Sequence, residues 1–366
     1  MIQLPVFQNQ EATKLDVSEN SILIVAPQTF FGLPNLDTLD LSQNKLDDES
    51  FIQNSLFNLT FLKKLNLDGN QISRVPALPL SLEELKMNNN DLRTLTHLSF
   101  KGLTNLLKLE LRKNTLREAS VSPLAFRPLQ ALLDLQLDNN HFHLLPPGLP
   151  SSLQKLKMRE NLIEELTEEP LRGCRHLRVL DLSHNYIHEL RIATNTWIHL
   201  KSLEDLDLSH NRFNSVPANL PRTLRNLTLQ HNYISHIPAF TFRHMRPGLQ
   251  ALCLSHNALS HDALERVAFV GTYRSLGELR LDNNDLQEIP RCVRQFKNLQ
   301  ALRLDNNHIR EVRQWGVCHP SNSGSTLASV HLENNLLEVE AIPPNAFSCV
   351  ADAQGLVLHP QRDAHT

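Results

Sequence analysis

Aromatic side chains make up only 5% of this 366-residue chain, so aliphatic residues must build most of its core. A strong charge of one sign is missing too. The formal net charge of -3, with 18 histidines, gives no global pull toward nucleic acid or a membrane surface, so any electrostatic site must be a local patch. No run of about 18 apolar residues occurs, which excludes a helix that spans a bilayer. The start, "MIQLPVFQNQEATKLDV", lacks a basic region and a continuous apolar stretch and does not read as a signal peptide. Gly-rich phosphate loops, G-x-S-x-G and H-E-x-x-H are absent, so neither an enzyme nor a bound cofactor is expected. The five cysteines include no C-x-x-C and no Cys/His zinc spacing, so no metal centre is expected either. Disorder is excluded by 41% hydrophobic residues against 20% charged.

What is present is a repeat. In "LEDLDLSHNRF" the apolar residues Leu203, Leu206, Leu208 and Phe213 are spaced three, two and five apart, which fits neither an amphipathic helix nor a plain alternating strand. The pattern L-x-x-L-x-L-x-x-N-x-L recurs fourteen times, with asparagines at 20, 44, 70, 90, 114, 140, 161, 185, 211, 232, 257, 284, 307 and 335. This is a leucine-rich repeat array. Leu206 and Leu208 share one face of a short strand, and the asparagine offers a donor and an acceptor to backbone groups that the turn leaves unpaired. No unit buries its leucines alone, so neighbours must stack. The expected fold is an α/β leucine-rich-repeat solenoid, a curved horseshoe with a parallel sheet on its concave face. A single array over 1–366 is expected, with about fourteen repeats in 12–337.

The intervals between asparagines run 24, 26, 20; 24, 26, 21; 24, 26, 21; 25, 27, 23; and 28. The short units carry prolines ("VPALPLSL", "LPPGLPSSL", "VPANLPRTL"), and the long ones carry phenylalanines ("SFKGL", "PLAFRPL"). Proline fixes φ and removes a donor, so the short outer segments should run extended and polyproline-like, and the long ones as helical turns.

The short-long-long rhythm, with "IPPNAFSCV" after the longest repeat, resembles the small leucine-rich proteoglycans of the extracellular matrix. That resemblance implies a disulfide between Cys318 and Cys349 closing an "ear" repeat and cap over 310–358. It further implies a secreted glycoprotein that binds collagen and glycosaminoglycan such as heparin, contacts cell-surface adhesion receptors, and supports matrix organisation and cell adhesion. The family's N-terminal cysteine cap is absent, and the chain is expected to be a fragment or to have an incomplete N-terminus. Cys174, Cys253 and Cys292 have no obvious partners and are expected as free or half-buried thiols. A receptor ectodomain and an intracellular leucine-rich adaptor are the rival readings. The closing ear repeat argues against the first and the triplet rhythm against the second.

Residues that flank the strand leucines make the concave face, the usual binding face of such arrays. At about 4.8 Å per strand, fourteen strands give on the order of 65 Å, suited to a protein or an extended polymer. Lys108, Arg112, Lys113, Lys155, Lys157 and Arg159 form a candidate glycosaminoglycan strip, diluted by Glu110, Asp134, Asp138 and Glu160. Asp181, Asp205 and Asp207 form a candidate protein-binding patch. His184, His210, His231 and His256 each precede a ladder asparagine, which invites a metal-ladder or pH-switch reading, though "LSHN" also fills an ordinary exposed turn. Sequons at Asn58 and Asn226 are candidate glycosylation sites.

Overall fold

The structure, a computed structural model, describes residues 2–321 and 327–363. It divides into two units, Met1–Asp181 and Leu182–Thr366. In the first, strands β1 (Lys14–Asp16), β2 (Thr38–Asp40), β3 (Lys64–Asn66) and β4 (Glu84–Lys86) are followed by β5 (Lys108–Glu110), β6 (Asp134–Gln136), β7 (Lys155–Lys157) and β8 (Val179–Asp181). In the second come β9 (Asp205–Asp207), β10 (Asn226–Thr228), β11 (Ala251–Cys253), β12 (Glu278–Arg280), β13 (Ala301–Arg303), β14 (Ser329–His331) and β15 (Leu356–Val357).

Within each unit neighbouring strands pair in parallel and in register, leucine opposite leucine. Leu109, for example, faces Leu85 and Leu135, and Leu227 faces Leu206 and Leu252. The central residue of nearly every strand is buried and its two neighbours are more exposed, as a period of two requires. Leu15 of β1 is the exception: it is half-buried, and among the described residues β1 pairs only with β2.

The asparagines satisfy the turn backbone that would otherwise stay unpaired. Nδ2 of Asn211 donates to the carbonyl oxygens of Leu208 and Leu182, each at 3.0 Å, and its Oδ1 accepts from the Ile187 N–H at 3.0 Å. Nδ2 of Asn114 likewise donates to Leu111 and Met87, and its Oδ1 accepts from Leu92. The residue before each ladder asparagine has φ between 53° and 67° in all fourteen repeats, and only one of these residues, Gly69, is glycine. A left-handed non-glycine costs roughly 1 kcal/mol or more, and the ladder bonds offset that cost. At Gly69 a Cβ would strike the Gln43 side chain, which occupies the same position one repeat earlier. Side chains at this position therefore stack from repeat to repeat.

The outer segments differ as the prolines and phenylalanines predict. Segments 71–83, 141–153 and 212–223 contain no 3₁₀ helix, whereas the fourth short unit, whose "IPRCVRQF" is a looser version of the proline pattern and was expected to run extended, winds into one at Val293–Gln295. Longer segments bury aromatic rings, with Phe100 stacked on Phe126 at 6.2 Å and Phe242 beside Phe269 at 6.3 Å. The helical part of the expected α/β fold consists of 3₁₀ turns of three or four residues, and no α-helix occurs among the described residues. A helical nucleus is costly, and these segments, tied at both ends to strands, are too short to extend one.

Cys318 and Cys349 form a disulfide, Cα–Cα 5.5 Å, on either side of β14. Residues 322–326 of the expected cap lie outside the described residues. Beyond the disulfide, Gln361 takes the place of a ladder asparagine. Its Oε1 accepts from the N–H groups of Asn335 and Leu337, both at 3.1 Å, and its Nε2 donates to Leu332 O at 2.9 Å. The pattern L-x-L-x-x-Q from Leu356 to Gln361 carried this signal, with glutamine standing where asparagine was sought.

Candidate functional site

The strand positions that point away from the core form the candidate surface. In the first unit, β5 and β7 place Lys108, Lys155 and Lys157 there, half-buried. The expected basic strip is reorganised by Glu110, whose side chain is only 3% exposed. Arg112 reaches its carboxylate at 2.9 Å, Lys108 at 3.6 Å and Lys86 at 4.0 Å. Burial is the largest influence on Glu110 and pushes its pKa up. The Asn88 amide, 3.1 Å from Oε1, and the three cations together outweigh burial and hold it below the ordinary glutamate value. Arg159 lies 3.3 Å from Glu160. Among the described residues Lys113, Lys155 and Lys157 make no ion pair, so the strip narrows to these three.

Asp181 closes β8 in the first unit, whereas Asp205 and Asp207 sit on β9 in the second. Asp207 is held in a structural turn, where its Oδ1 accepts from Ser209 N at 2.9 Å and Ser209 Oγ at 2.7 Å. The same Asp-x-Ser turn recurs at Asp16 with Ser18 and at Asp40 with Ser42. It was legible in the sequence as a repeated D-L-S or D-V-S. Asp205 accepts a hydrogen bond from the amide of Asn226. Because Asn226 is exposed and heads a sequon, a glycan there would lie over Asp205. Asn58 is exposed and borders an apolar cavity that also touches Phe31 and Phe61.

The four histidines form a continuous column. His184, His210, His231 and His256 have φ of 53° to 55°, and successive rings stack at 4.0, 4.2 and 4.0 Å with planes 11° to 14° apart. Near-parallel planes aim the ring nitrogens side by side rather than at a common point, whereas a metal needs them to converge at about 2.0–2.1 Å. Burial first, then the neighbouring His256 and His184, lower the pKa of His231 against an opposing pull from Asp282. The only metal-sized grouping among the described residues is Asp305, His331 and Glu333. Its members are already partnered: Arg303 holds Asp305 at 2.8 and 3.0 Å, and His331 Nδ1 lies 2.9 Å from Glu333 Oε1.

Cys174, Cys253 and Cys292 are free. Burial pushes the Cys174 thiol up to about 11 and the Cys292 thiol up to about 12. Both are therefore inert packing residues.

Parallel strands locked by an asparagine ladder and presenting rows of polar side chains define a leucine-rich-repeat scaffold. The chain belongs to the leucine-rich repeat family, whose pattern, described as "Leucine rich repeat", matches residues 10–72, 81–142, 151–213 and 222–272. Its relatives include small leucine-rich proteoglycans. It is 35% identical to podocan-like protein 1 of Mus musculus over 260 residues, covering 71% of this chain and 46% of that protein. It is 30% identical to Mus musculus podocan over 346 residues, covering 94% and 51%. Lumican of Gallus gallus is 31% identical, with 76% of each chain covered. The chain thus spans about half the length of the podocan relatives. Among solved structures, a chain of the octameric complex of Latrophilin 3, Unc5D and FLRT2 (LRR) aligns with a TM-score of 0.67 and 26% identity, covering 86% of this chain and 91% of that one. A Leptospira interrogans LRR protein aligns at 0.72 with 23% identity, covering 96% and 92%, and shows the fold alone. No helix among the described residues is long and apolar enough to cross a membrane.

Proposed function

We propose that this chain is a secreted extracellular-matrix protein whose concave face binds collagen, with glycosaminoglycan as a second ligand, and that it supports matrix organisation and cell adhesion. The observation that carries this reading is the similarity to lumican across 76% of each chain, combined with rows of exposed polar residues on the strands. Several segments, "FRHMRPGLQALCLSHN" and "HLENNLLEVEAIPPNAFSCV" among them, resemble extracellular matrix protein 2, which points to the same class. Residues 310–358, closed by the disulfide, serve as the ear and cap. A ligand-binding receptor ectodomain is the second reading, favoured by the similarity to a chain in an assembly of Latrophilin 3, Unc5D and FLRT2.

Asp205 is the carboxylate to test in protein without a glycan at Asn226, because Asp207 is held by two bonds from Ser209 whereas Asp205 accepts one from the exposed Asn226 amide. Co-sedimentation with reconstituted collagen fibrils across a salt series should show binding that Asp205→Lys weakens by about tenfold, roughly 1.4 kcal/mol. Charge-driven docking also predicts a steep loss with salt. Lys155→Glu with Lys157→Glu should reduce heparin retention while leaving fibril binding intact. No sedimentation at any salt would remove direct fibril binding, and the receptor reading would take its place.

A further inference from the structure

A cavity of about 470 Å3 opens away from the strands of the second unit, between the segment after Asn284 and the loop before Cys318. Arg291, Arg294, Trp315 and Ile289 line it. The local backbone explains why two arginines converge there. Val293 N donates to Pro290 O at 3.1 Å, Gln295 N to Cys292 O at 2.9 Å, and Phe296 N to Val293 O at 3.3 Å. These are 3₁₀ bonds, and at three residues per turn side chains at i and i+3 eclipse. Arg291, in the turn before this 3₁₀ helix, and Arg294 within it flank the buried Cys292 and Val293, and both arginines reach the same cavity. Both are exposed, and neither makes an ion pair among the described residues. Arg294 also borders a second cavity of about 450 Å3 together with Lys297, the third cation of R-x-x-R-x-x-K.

The acids of the first cavity are already engaged. Arg313 lies 3.6 Å from Glu288 and 3.3 Å from Glu311, so that wall keeps one negative charge in excess, and Arg291 with Arg294 turns the lining as a whole positive. The same cavity is lined by the indole of Trp315, which is 38% exposed, although the protein's other tryptophan, Trp197, is 2% exposed. A wet indole beside two unpaired guanidinium forks calls for a ligand that is both flat and anionic.

We propose that this cavity binds an aryl ester side chain of a partner peptide, a tyrosine bearing a sulfate or phosphate. The ring lies against Trp315 and Ile289, and the ester oxygens take bidentate bonds from Arg291 and Arg294. The volume falls within the range of roughly 300–1,000 Å3 typical of ligand pockets. A neutral tyrosine would leave both arginines without a counter-charge, and a bare carboxylate would leave the indole wet. A sulfated saccharide offers the charge without the flat aryl face. The site is separate from Asp205 and the lysine strip, so it stands or falls independently of the matrix reading.

The test is a fluorescence titration of the full chain with three versions of one acidic peptide, whose single tyrosine is sulfated, phosphorylated or unmodified. A sulfated hexasaccharide makes the fourth ligand. Trp197 is shielded, so a saturable change reports Trp315. Both ester peptides should bind, and the unmodified peptide should bind about tenfold or more weakly. A tighter sulfated arm assigns the ligand to sulfotyrosine, and a tighter phosphorylated arm to phosphotyrosine. Arg291→Glu with Arg294→Glu, both at exposed positions, should abolish the response with the far-UV spectrum unchanged. Trp315→Phe should remove the ligand-induced change, leaving the steady Trp197 emission, while calorimetry still detects binding. The proposal is overturned if neither ester peptide saturates, if the unmodified peptide binds equally well, or if the hexasaccharide binds more tightly than both.

Discussion

Replacing Asn211 by alanine tests the ladder at a buried position. The side chain is 5% exposed. Its removal deletes the bonds to Leu182 O and Leu208 O, but neither carbonyl is orphaned. Leu182 O keeps the amide of Asn185 at 3.0 Å, and Leu208 O keeps that of Asn232 at 3.1 Å. The Ile187 N–H, which donates to Asn211 Oδ1 at 3.0 Å, loses its partner in a buried turn. One stranded donor costs about 1–3 kcal/mol and each of the two lost bonds about 0.5–1.5 kcal/mol net, so the expected total is about 2–6 kcal/mol. Asn20 is the contrast. It is exposed and its side chain bonds only within its own turn, to Val17 O and Ser18 O, so Asn20→Ala should cost less than about 1 kcal/mol. Urea unfolding followed by circular dichroism measures both, provided the slope of the transition is unchanged. Asn211→Asp sharpens the result, because a carboxylate keeps the acceptor and the volume but cannot donate to the two carbonyls. It should destabilise too. Equal losses for Asn20→Ala and Asn211→Ala, or a harmless Asn211→Asp, would refute the ladder as the source of this stability.

Two further outcomes follow from the charges and the cap. Glu110 has a lowered pKa in the folded state, so its contribution is present above the unfolded value of about 4.3 and is lost as pH falls through the folded value. Glu110→Gln should therefore cost about 2 kcal/mol at neutral pH, with the gap to the parent protein closing below about pH 4; a constant gap across the acid range would contradict this. Cys318 and Cys349 are 31 residues apart, and chain entropy alone assigns such a closure about 3–4 kcal/mol. Cys318→Ser with Cys349→Ser should lower the melting temperature and release amide protection first around β14 and β15. An unchanged melt would show that the end of the second unit holds itself.

Much of the fold was legible because a repeat samples one physical solution many times. A leucine at nearly every strand centre, an asparagine at every turn, and prolines or phenylalanines in alternate outer segments each follow from local chemistry acting on a short stretch of chain. The functional surface was less legible, since exposed positions do not reveal their partners. Asp205 and Asp207 looked equivalent in "DLD" until the Ser209 turn claimed one and the Asn226 amide the other. Lys108 and Arg112 looked like free cations until Glu110 was found buried among them, with Lys86 as an unforeseen third. Gln361 escaped because one methylene more than asparagine hid it from the pattern.

The sequence alone determined the period, the strand faces, the ladder and the class of fold, because each depends on residues a few positions apart and on burial that the repeat itself demands. Only the tertiary structure decided which charges are spent on neighbours and that four histidines stack into one column. It also decided that Arg291, Arg294 and Trp315 line one cavity. Most of those contacts join residues of different repeats, and their distances are set by how one turn of the solenoid rests on the next.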